Sequence, residues 1–319
     1  MDGLGIGHLS SLALNTNHSF IGKFDSYGYL NSTNSSKKWL PDEAYTASSI
    51  ATGYCVPKNR VSQDSSGKDL YTFFDLAHQY SKKSGLITTA SLSYITPACF
   101  TVHSRYWKDE VNYAKKQFET DLDLLLGGGK SYFQSDKYNL KNKFAQNGRT
   151  LIDTLKALDS LTNSDKKLIG FFSDKELPAP QKRKTSLNRL VQRSLDHLSN
   201  KNGFVLLIND THLDWYTHQE KYSNLISEMK VLNKTVNSVL DYQNSHSNTL
   251  ALLIGSHDCG GIAPLQSLES QNKYSLGQLS ENHTGNFSPV FASGKFHSKF
   301  DDFFKPYELG KLIKNLTIQ

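Results

Sequence analysis

Leu122-Asp123-Leu124-Leu125-Leu126-Gly127-Gly128-Gly129 is a short apolar run that ends at three glycines. Such a run is typical of a strand that is buried on both faces. Residues 111–118, before it, have helical periodicity, and residues 150–158, after it, are interpreted as another helix. The alternation of strand and helix predicts βαβ units around a parallel sheet.

The same alternation runs through most of the chain. Further apolar runs, each predicted to be a buried strand, lie at 86–90, 168–172, 203–208, 249–254 and 289–293. Amphipathic segments between and after them, each predicted to be a helix, lie at 69–84, 186–199, 221–241 and 306–316. No repeat or linker divides these segments. We therefore predict an α/β fold with a mainly parallel central sheet flanked by helices, in one domain that spans residues 1–319.

Composition excludes several classes of function. The formal net charge of +6 is spread along 319 residues, and the one dense basic run is Lys182-Arg183-Lys184. Because no nucleic-acid-binding motif accompanies that charge, we expect no nucleic-acid partner. No apolar run approaches 18 residues, so we expect no transmembrane segment. The cysteines Cys55, Cys99 and Cys259 form no CxxC pair, which argues against a zinc ribbon or a disulfide framework.

Side chains that bind metals stand near the predicted strand ends. Asp214 and His218 follow the strand at 203–208, His257 and Asp258 follow the strand at 249–254, and His283 precedes the last strand. Asp214 and His218 are four residues apart and share a face if that turn is helical. Because ligands bind at the carboxyl ends of parallel strands, these residues predict a metal site.

The segment that begins Pro41-Asp42-Glu43 has the features of a helix start, with proline and two acidic residues in the first turn. Small residues follow up to Gly53, so the helix can lie close to a sheet. Two interpretations stay open from the residues alone. The helix N-terminus is either an anion-binding site or an ordinary acidic start above small core residues.

Together these segments resemble the alkaline phosphatase family, and the resemblance runs from Asp2 to the C-terminal helix. The segments that carry it are Asp2-Gly3-Leu4-Gly5, residues 42–53, Thr96-Pro97-Ala98 followed by His103, residues 125–133, Leu213-Asp214 with His218, Ser256-His257-Asp258-Cys259-Gly260-Gly261, and His283-Thr284-Gly285. Chance is a poor explanation for so many matching segments in the same order, together with the triple glycine.

The resemblance implies two zinc sites at the edge of the sheet. The first would be held by Asp214, His218 and His283, all of them residues that can ligate zinc. The second would keep Asp2 and His257, whereas Ser256 stands where the family has an aspartate. We therefore expect one complete zinc site and one partial site.

The resemblance also implies a magnesium site, which this sequence supports poorly. Asp2 and Thr96 match two of its ligands, but Asn209 and Tyr94 stand where the family has acidic or histidine ligands. Magnesium prefers charged oxygen ligands. We expect this site to be empty, or filled by water or a lysine side chain.

The largest departure from the family is at the nucleophile. Counting back from Gly53 places Glu43 where family members have the serine that attacks phosphorus. Arg105 is the candidate clamp for the substrate phosphate, although it follows His103 by only two residues and reads equally as a surface residue. The resemblance thus implies a zinc protein whose phosphate monoester hydrolysis is impaired. Two alternatives stay open: an active phosphoesterase that uses metal-bound hydroxide with Glu43 as ligand or general base, and a non-catalytic protein that binds phosphate or a partner.

Three further expectations concern the whole protein. Asp2 would end the first central strand of the family fold, so we expect the chain to be truncated at its N-terminus and to lack that strand. Family members are usually secreted, periplasmic or membrane-anchored, but the residues after Met1 have no signal-peptide pattern. The family resemblance also makes a homodimer an expected assembly.

Overall fold

The computed structural model describes residues 1–33, 40–135, 138–161, 166–266 and 274–319. These residues group into two compact units. The first unit comprises Met1–Asp42, Ala179–Gln181 and Thr211–Lys305, and the second comprises Glu43–Pro178, Lys182–Asp210 and Pro306–Gln319. A single domain over residues 1–319 stays a prediction.

The strands, in chain order, are β1 (Ser26–Leu30), β2 (Lys83–Ser91), β3 (Leu124–Gly128), β4 (Gln134–Ser135), β5 (Tyr138–Asn139), β6 (Arg149–Ile152), β7 (Lys167–Phe171), β8 (Phe204–Asn209), β9 (Leu250–Ile254), β10 (Asp258–Cys259), β11 (Ala263–Gln266), β12 (Tyr274–Gly277), β13 (His283–Thr284), β14 (Ser288–Gly294) and β15 (Phe303–Phe304). The α-helices are α1 (Ile6–Asn15), α2 (Glu43–Thr52), α3 (Phe73–Gln79), α4 (Ile95–Thr101), α5 (Glu110–Gln117), α6 (Lys130–Phe133), α7 (Leu140–Gln146), α8 (Leu155–Asp159), α9 (Leu187–Leu198), α10 (His212–His218), α11 (Tyr222–Ser245) and α12 (Pro306–Thr317). Within the described ranges, no helix is long and apolar enough to cross a membrane.

The second unit contains a five-stranded sheet in the order β6-β7-β3-β2-β8, and every neighbouring pair in it is parallel. The apolar run that ends at the three glycines forms its middle strand, β3. On β2, Leu86 lies opposite Leu125 of β3 on one side and Leu207 of β8 on the other. All residues of β3 are buried, as expected for a strand covered on both faces. The predicted α/β fold with a mainly parallel central sheet flanked by helices is confirmed.

The predicted helix at residues 150–158 is wrong in its first half. Residues Arg149–Ile152 form β6, which pairs in parallel with β7, and the helix α8 begins only after Thr154. The Thr154 side chain caps that helix by accepting a hydrogen bond from the Ala157 N–H at 3.2 Å. The buried Arg149 guanidinium donates to the Leu122 carbonyl oxygen at 2.6 Å, which ties the start of β6 to the residues before β3. Pairing with a neighbouring strand therefore outweighs the local helical pattern.

The first unit contains a four-stranded sheet in the order β15-β1-β14-β9. Its strand β14 runs antiparallel to both neighbours, β1 and β9. Helix α11 packs Leu225, Met229 and Leu232 into the same apolar cluster as Leu253 of β9. This packing fixes α10, which directly precedes α11, and β9, whose end leads to His257.

The N-terminal residues lie beside the end of β9. The Met1 amino group donates to the Ile254 carbonyl oxygen at 2.9 Å, and the Ser256 N–H donates to the Met1 carbonyl oxygen at 2.9 Å. These two hydrogen bonds hold Asp2 next to the loop that carries Ser256 and His257.

Candidate metal centre

Helix α10 places Asp214 and His218 on one face, as their spacing predicts. The Asp214 carboxylate is buried, and its Oδ2 lies 3.4 Å from Nε2 of His218. A buried carboxylate is costly unless charged or hydrogen-bonded partners surround it. Asp214 is therefore the residue around which the rest of the site must be organised.

Two further histidines reach the same carboxylate from other elements. His257, in the loop after β9, places Nε2 at 3.1 Å from Asp214 Oδ1. His283, on β13, places its Nε2 at 3.5 Å from the same oxygen. The rings of His257 and His283 lie close together, with centroids 3.9 Å apart. Four metal-binding side chains from three elements thus meet at one point.

The other ring nitrogen of each histidine fixes its tautomer. His283 Nδ1 lies 2.8 Å from the Pro41 carbonyl oxygen, and His218 Nδ1 contacts the Glu281 carbonyl oxygen. A carbonyl oxygen can only accept, so Nδ1 carries the proton in both rings. In the neutral rings Nε2 then has a lone pair that can bind a metal, and in the protonated rings the same nitrogen donates to the Asp214 carboxylate.

Ser256 gives His257 the same orientation. The Ser256 hydroxyl donates to Asp2 Oδ1 at 3.1 Å and lies 2.9 Å from His257 Nδ1, from which it can accept. Ser256 therefore links the buried Asp2 carboxylate to the imidazole. Oxygen acceptors behind ligating histidines are the usual means by which proteins orient imidazoles toward a metal.

The electrostatics of the cluster favour a cation at its centre. Burial by itself raises the pKa of Asp214, but hydrogen bonds with His218, His257 and His283 outweigh it and hold that pKa well below its usual value. The interaction with Asp214 raises the pKa of His218, although burial opposes this. Three imidazole nitrogens around an ionised carboxylate suit zinc, which binds nitrogen and oxygen ligands together. The donor set of these four residues therefore fits zinc.

His8, on α1, lies next to the cluster and hydrogen-bonds to the helix that carries Asp214. No spacing pattern in the sequence indicated this histidine. Its Nδ1 accepts from the Gly5 N–H at 3.2 Å, and its Nε2 donates to the Thr217 hydroxyl at 3.0 Å. Thr217 in turn donates to the Leu213 carbonyl oxygen at 2.7 Å. Burial lowers the pKa of His8 to about 4, against opposing contributions from Asp258 and Asp214. A neutral His8 thus ties α1 to the helix that carries Asp214.

Acidification is expected to destabilise the metal-free protein through His8. Below pH 6.5 the unfolded chain protonates this histidine, whereas the folded chain does not until about pH 4. The unfolded state then binds more protons, so the free energy of unfolding falls with falling pH, by about 3 kcal/mol across this window. Urea unfolding from pH 7.5 to 4.5 should show a shallower pH slope for His8→Gln than for the wild type. The exposed His18→Gln is the matched control, and equal slopes for the wild type and His8→Gln would contradict the prediction.

The remaining predicted site residues belong to the second unit. Glu43 is the first residue of α2, is half-buried, and accepts a hydrogen bond from the Tyr94 hydroxyl at 3.4 Å. Thr96, on α4, is buried, and its hydroxyl has no hydrogen-bond partner among the described residues. Arg105 is exposed. The roles of these residues stay predictions.

Cys259 is a second residue near the centre that the sequence analysis did not select. A signal was present, because His257 and Cys259 are two residues apart, and alternate residues of a strand point to the same face. Cys259 belongs to no CxxC pair, so the pairing pattern of the cysteines did not indicate a ligand. Its place in the structure is close to Asp214, since the Cys259 thiol lies 3.8 Å from the Asp214 carbonyl oxygen.

Comparison with known sequences gives a consistent match. Residues 7–278 match the family model described as alkaline phosphatase. Alkaline phosphatase 4 of Bacillus subtilis (strain 168) is 28% identical over 233 residues, which cover 70% of this chain and 50% of that protein. The chain spans about half the length of the first curated relatives it matches.

Solved structures match the fold along nearly the whole chain. The alkaline phosphatase from the Antarctic bacterium TAB5 superposes with a TM-score of 0.92 at 22% identity, covering 99% of this chain and 96% of that one. A variant of the TAB5 protein, with Mg bound in its M3 site, superposes with a TM-score of 0.90 at 22% identity, covering 99% of this chain and 95% of that one. At this identity the likeness shows the fold.

Proposed function

Because the chain belongs to the alkaline phosphatase family, we propose that it binds zinc and hydrolyses phosphate monoesters only weakly. The family is metal-dependent, and the described residues contain a donor set that fits zinc. The weakness is proposed because Glu43 stands where the resemblance places the attacking serine.

The observation that carries the zinc proposal is the protonation of the histidines. In His218 and His283, Nδ1 donates to a backbone carbonyl, so both neutral rings direct an Nε2 lone pair at Asp214. A cation at this point would be bound by these nitrogens and the Asp214 carboxylate together, whereas without a cation Nε2 must carry a proton to hydrogen-bond to that carboxylate.

Zinc at such a site supplies positive charge that stabilises the oxygens entering and leaving phosphorus. The chain's own residues hold it: Asp214, His218 and His283 would form one site, and His257 with Asp2 would contribute to a second. Ser256 orients His257 and is itself uncharged. The second site therefore has one negative charge fewer than an aspartate at that position would give.

Glu43 would act against catalysis in two ways. A carboxylate is a poor nucleophile toward a phosphate monoester, and its negative charge repels the substrate. Its place at the first turn of α2 stabilises the ionised form, because the helix N-terminus favours negative charge. Ionised Glu43 would then occupy the helix end that would otherwise favour a substrate phosphate.

Zinc titration and turnover of the unmodified chain test the proposal together. We expect the metal-free protein to bind one zinc ion tightly and a second more weakly, and to turn over p-nitrophenyl phosphate below about 1 s⁻¹, the lower end for ordinary enzymes. A sample kept in chelator is the control. Failure to bind zinc would refute the proposal that the protein binds this metal. Turnover at ordinary enzyme rates would refute the impairment and support the alternative in which hydrolysis needs no serine.

A further inference from the structure

The structure brings a thiol to the same centre. Cys259 is fully buried on the two-residue strand β10, where it pairs directly opposite His283 of β13. Side chains of directly opposed residues on antiparallel strands project to the same face and lie close together. The pairing that delivers the His283 imidazole therefore delivers the Cys259 sulfur as well.

Asp258, the other residue of β10, fixes this pairing. Its Oδ2 accepts from the Gly261 N–H at 3.2 Å, from the Asn286 side-chain amide at 3.2 Å, and from the Thr284 hydroxyl. These donors come from both sides of the β10–β13 pair. The buried carboxylate therefore clamps the two strands, and with them the positions of Cys259 and His283.

Helix α10 encloses the sulfur from the other side. The Cys259 thiol lies 3.8 Å from the carbonyl oxygen of Asp214, and the ligand atoms of Asp214, His218, Cys259 and His283 all lie within 4.8 Å of one another. The donors of a tetrahedral zinc site with bonds of 2.0–2.3 Å are about 3.3–3.8 Å apart. The four donors need to approach one another by about 1.5 Å at most to reach tetrahedral spacing.

We propose that Cys259 is the fourth protein ligand of the zinc ion held by Asp214, His218 and His283. This inference rests on the zinc binding proposed above and adds the residue that completes the site. On binding, the thiol loses its proton to solvent and the thiolate forms the bond to the metal. A sulfur donor selects zinc and similar metals over magnesium, which binds oxygen ligands.

The fourth ligand has a consequence for chemistry at the site. Catalytic zinc sites keep an open position, whereas sites closed by four protein ligands are structural. A thiolate in the fourth position would occupy the place that a substrate oxygen needs. Cys259 thus provides a cause of weak hydrolysis that is independent of Glu43.

Cobalt substitution tests this ligand by a spectroscopic signature. A cobalt–thiolate bond gives a charge-transfer absorption in the near ultraviolet, which nitrogen and oxygen ligands do not give. We expect this band in the cobalt-loaded wild type and its loss in Cys259→Ser and Cys259→Ala. Cys99→Ser is the matched control, since Cys99 is also buried and its thiol lies 3.6 Å from the Ala44 carbonyl oxygen. Zinc affinity should fall at least about 10-fold in Cys259→Ser and stay unchanged in Cys99→Ser.

X-ray absorption at the zinc edge of the unmodified protein needs no variant and guards against a variant that fails to fold. We expect one sulfur scatterer at about 2.3 Å. A wild type that binds one ion per chain with no sulfur scatterer and no charge-transfer band would overturn the Cys259 ligand while the zinc proposal stands. That result would leave Asp214, His218 and His283 as a three-ligand site with an open position. A wild type that binds neither zinc nor cobalt would refute both the zinc-binding proposal and the Cys259 ligand.

Discussion

Replacing Glu43 by serine in a Cys259→Ala background, which leaves the fourth zinc position open, is expected to raise the turnover of p-nitrophenyl phosphate by about 100-fold or more in the zinc-loaded protein, since removal of a catalytic nucleophile costs enzymes at least that much. The substitution supplies a hydroxyl at the first residue of α2 and removes a negative charge there. It also removes the acceptor of the Tyr94 hydroxyl, a contact of 3.4 Å that contributes little to stability. The measurement is kcat at saturating zinc, with metal content determined on the same sample.

Two variants separate the causes of that increase. Glu43→Gln removes the charge without supplying a nucleophile, so it should recover only the part that comes from repulsion of the substrate. Glu308→Ser is the matched control, because Glu308 is an exposed glutamate in the first turn of α12. Equal turnover for Cys259→Ala with and without Glu43→Ser, at equal zinc content, would show that residue 43 does not occupy the nucleophile position.

Replacing Asp214 by asparagine is expected to have the largest effect on metal binding. The substitution keeps the shape of the side chain but removes the buried charge that three imidazoles face at 3.1–3.5 Å. Loss of a residue that merely orients a ligand already costs 10–100-fold in affinity, so we expect zinc affinity to fall by more than about 100-fold. Competition against a chromophoric chelator measures this directly.

The same variant should also be less stable without metal, by about 1–3 kcal/mol, because the new amide cannot match all the partners of the carboxylate. Asp241→Asn, an exposed site on α11, is the matched control and should change neither quantity. Zinc affinity in Asp214→Asn within a few fold of the wild type would show that the metal lies elsewhere.

The sequence predicted the parallel sheet well because its buried strands are recorded as apolar runs. Residues 124–126 of the run 122–126 begin β3, which continues through Gly127 and Gly128, two residues beyond the predicted end. The apolar runs do not show whether two neighbouring strands are parallel or antiparallel. Strands β9 and β14 have the same apolar character, yet they run antiparallel to each other in a separate four-stranded sheet. For β6, a threonine that caps the following helix was the local sign that the helix starts late.

The candidate site was predictable to the extent that it depends on spacing. The four-residue interval between Asp214 and His218 gave their shared face, and the strand ends indicated His257 and His283. How these histidines approach Asp214 depends on contacts between distant segments, such as the hydrogen bond from His283 to the Pro41 carbonyl. The position of Cys259 also depends on a contact between distant segments, because Cys259 pairs opposite His283. The two-residue spacing of His257 and Cys259 is a local sign of a shared face, but no local pattern shows that these residues meet Asp214.

The hydrogen bonds behind the three imidazoles also determine how the centre can evolve. His218 and His283 are oriented by carbonyl oxygens of the main chain, at Glu281 and Pro41, and a point mutation at either residue leaves that oxygen in place. His257 depends on the hydroxyl of Ser256, which a single substitution deletes. The set Asp214, His218 and His283 is thus robust to drift in its surroundings, whereas the contribution of His257 can be lost in one mutational step. The cluster of Asp214, His218 and His283 is on this account the part of the candidate site that a diverging sequence would keep longest.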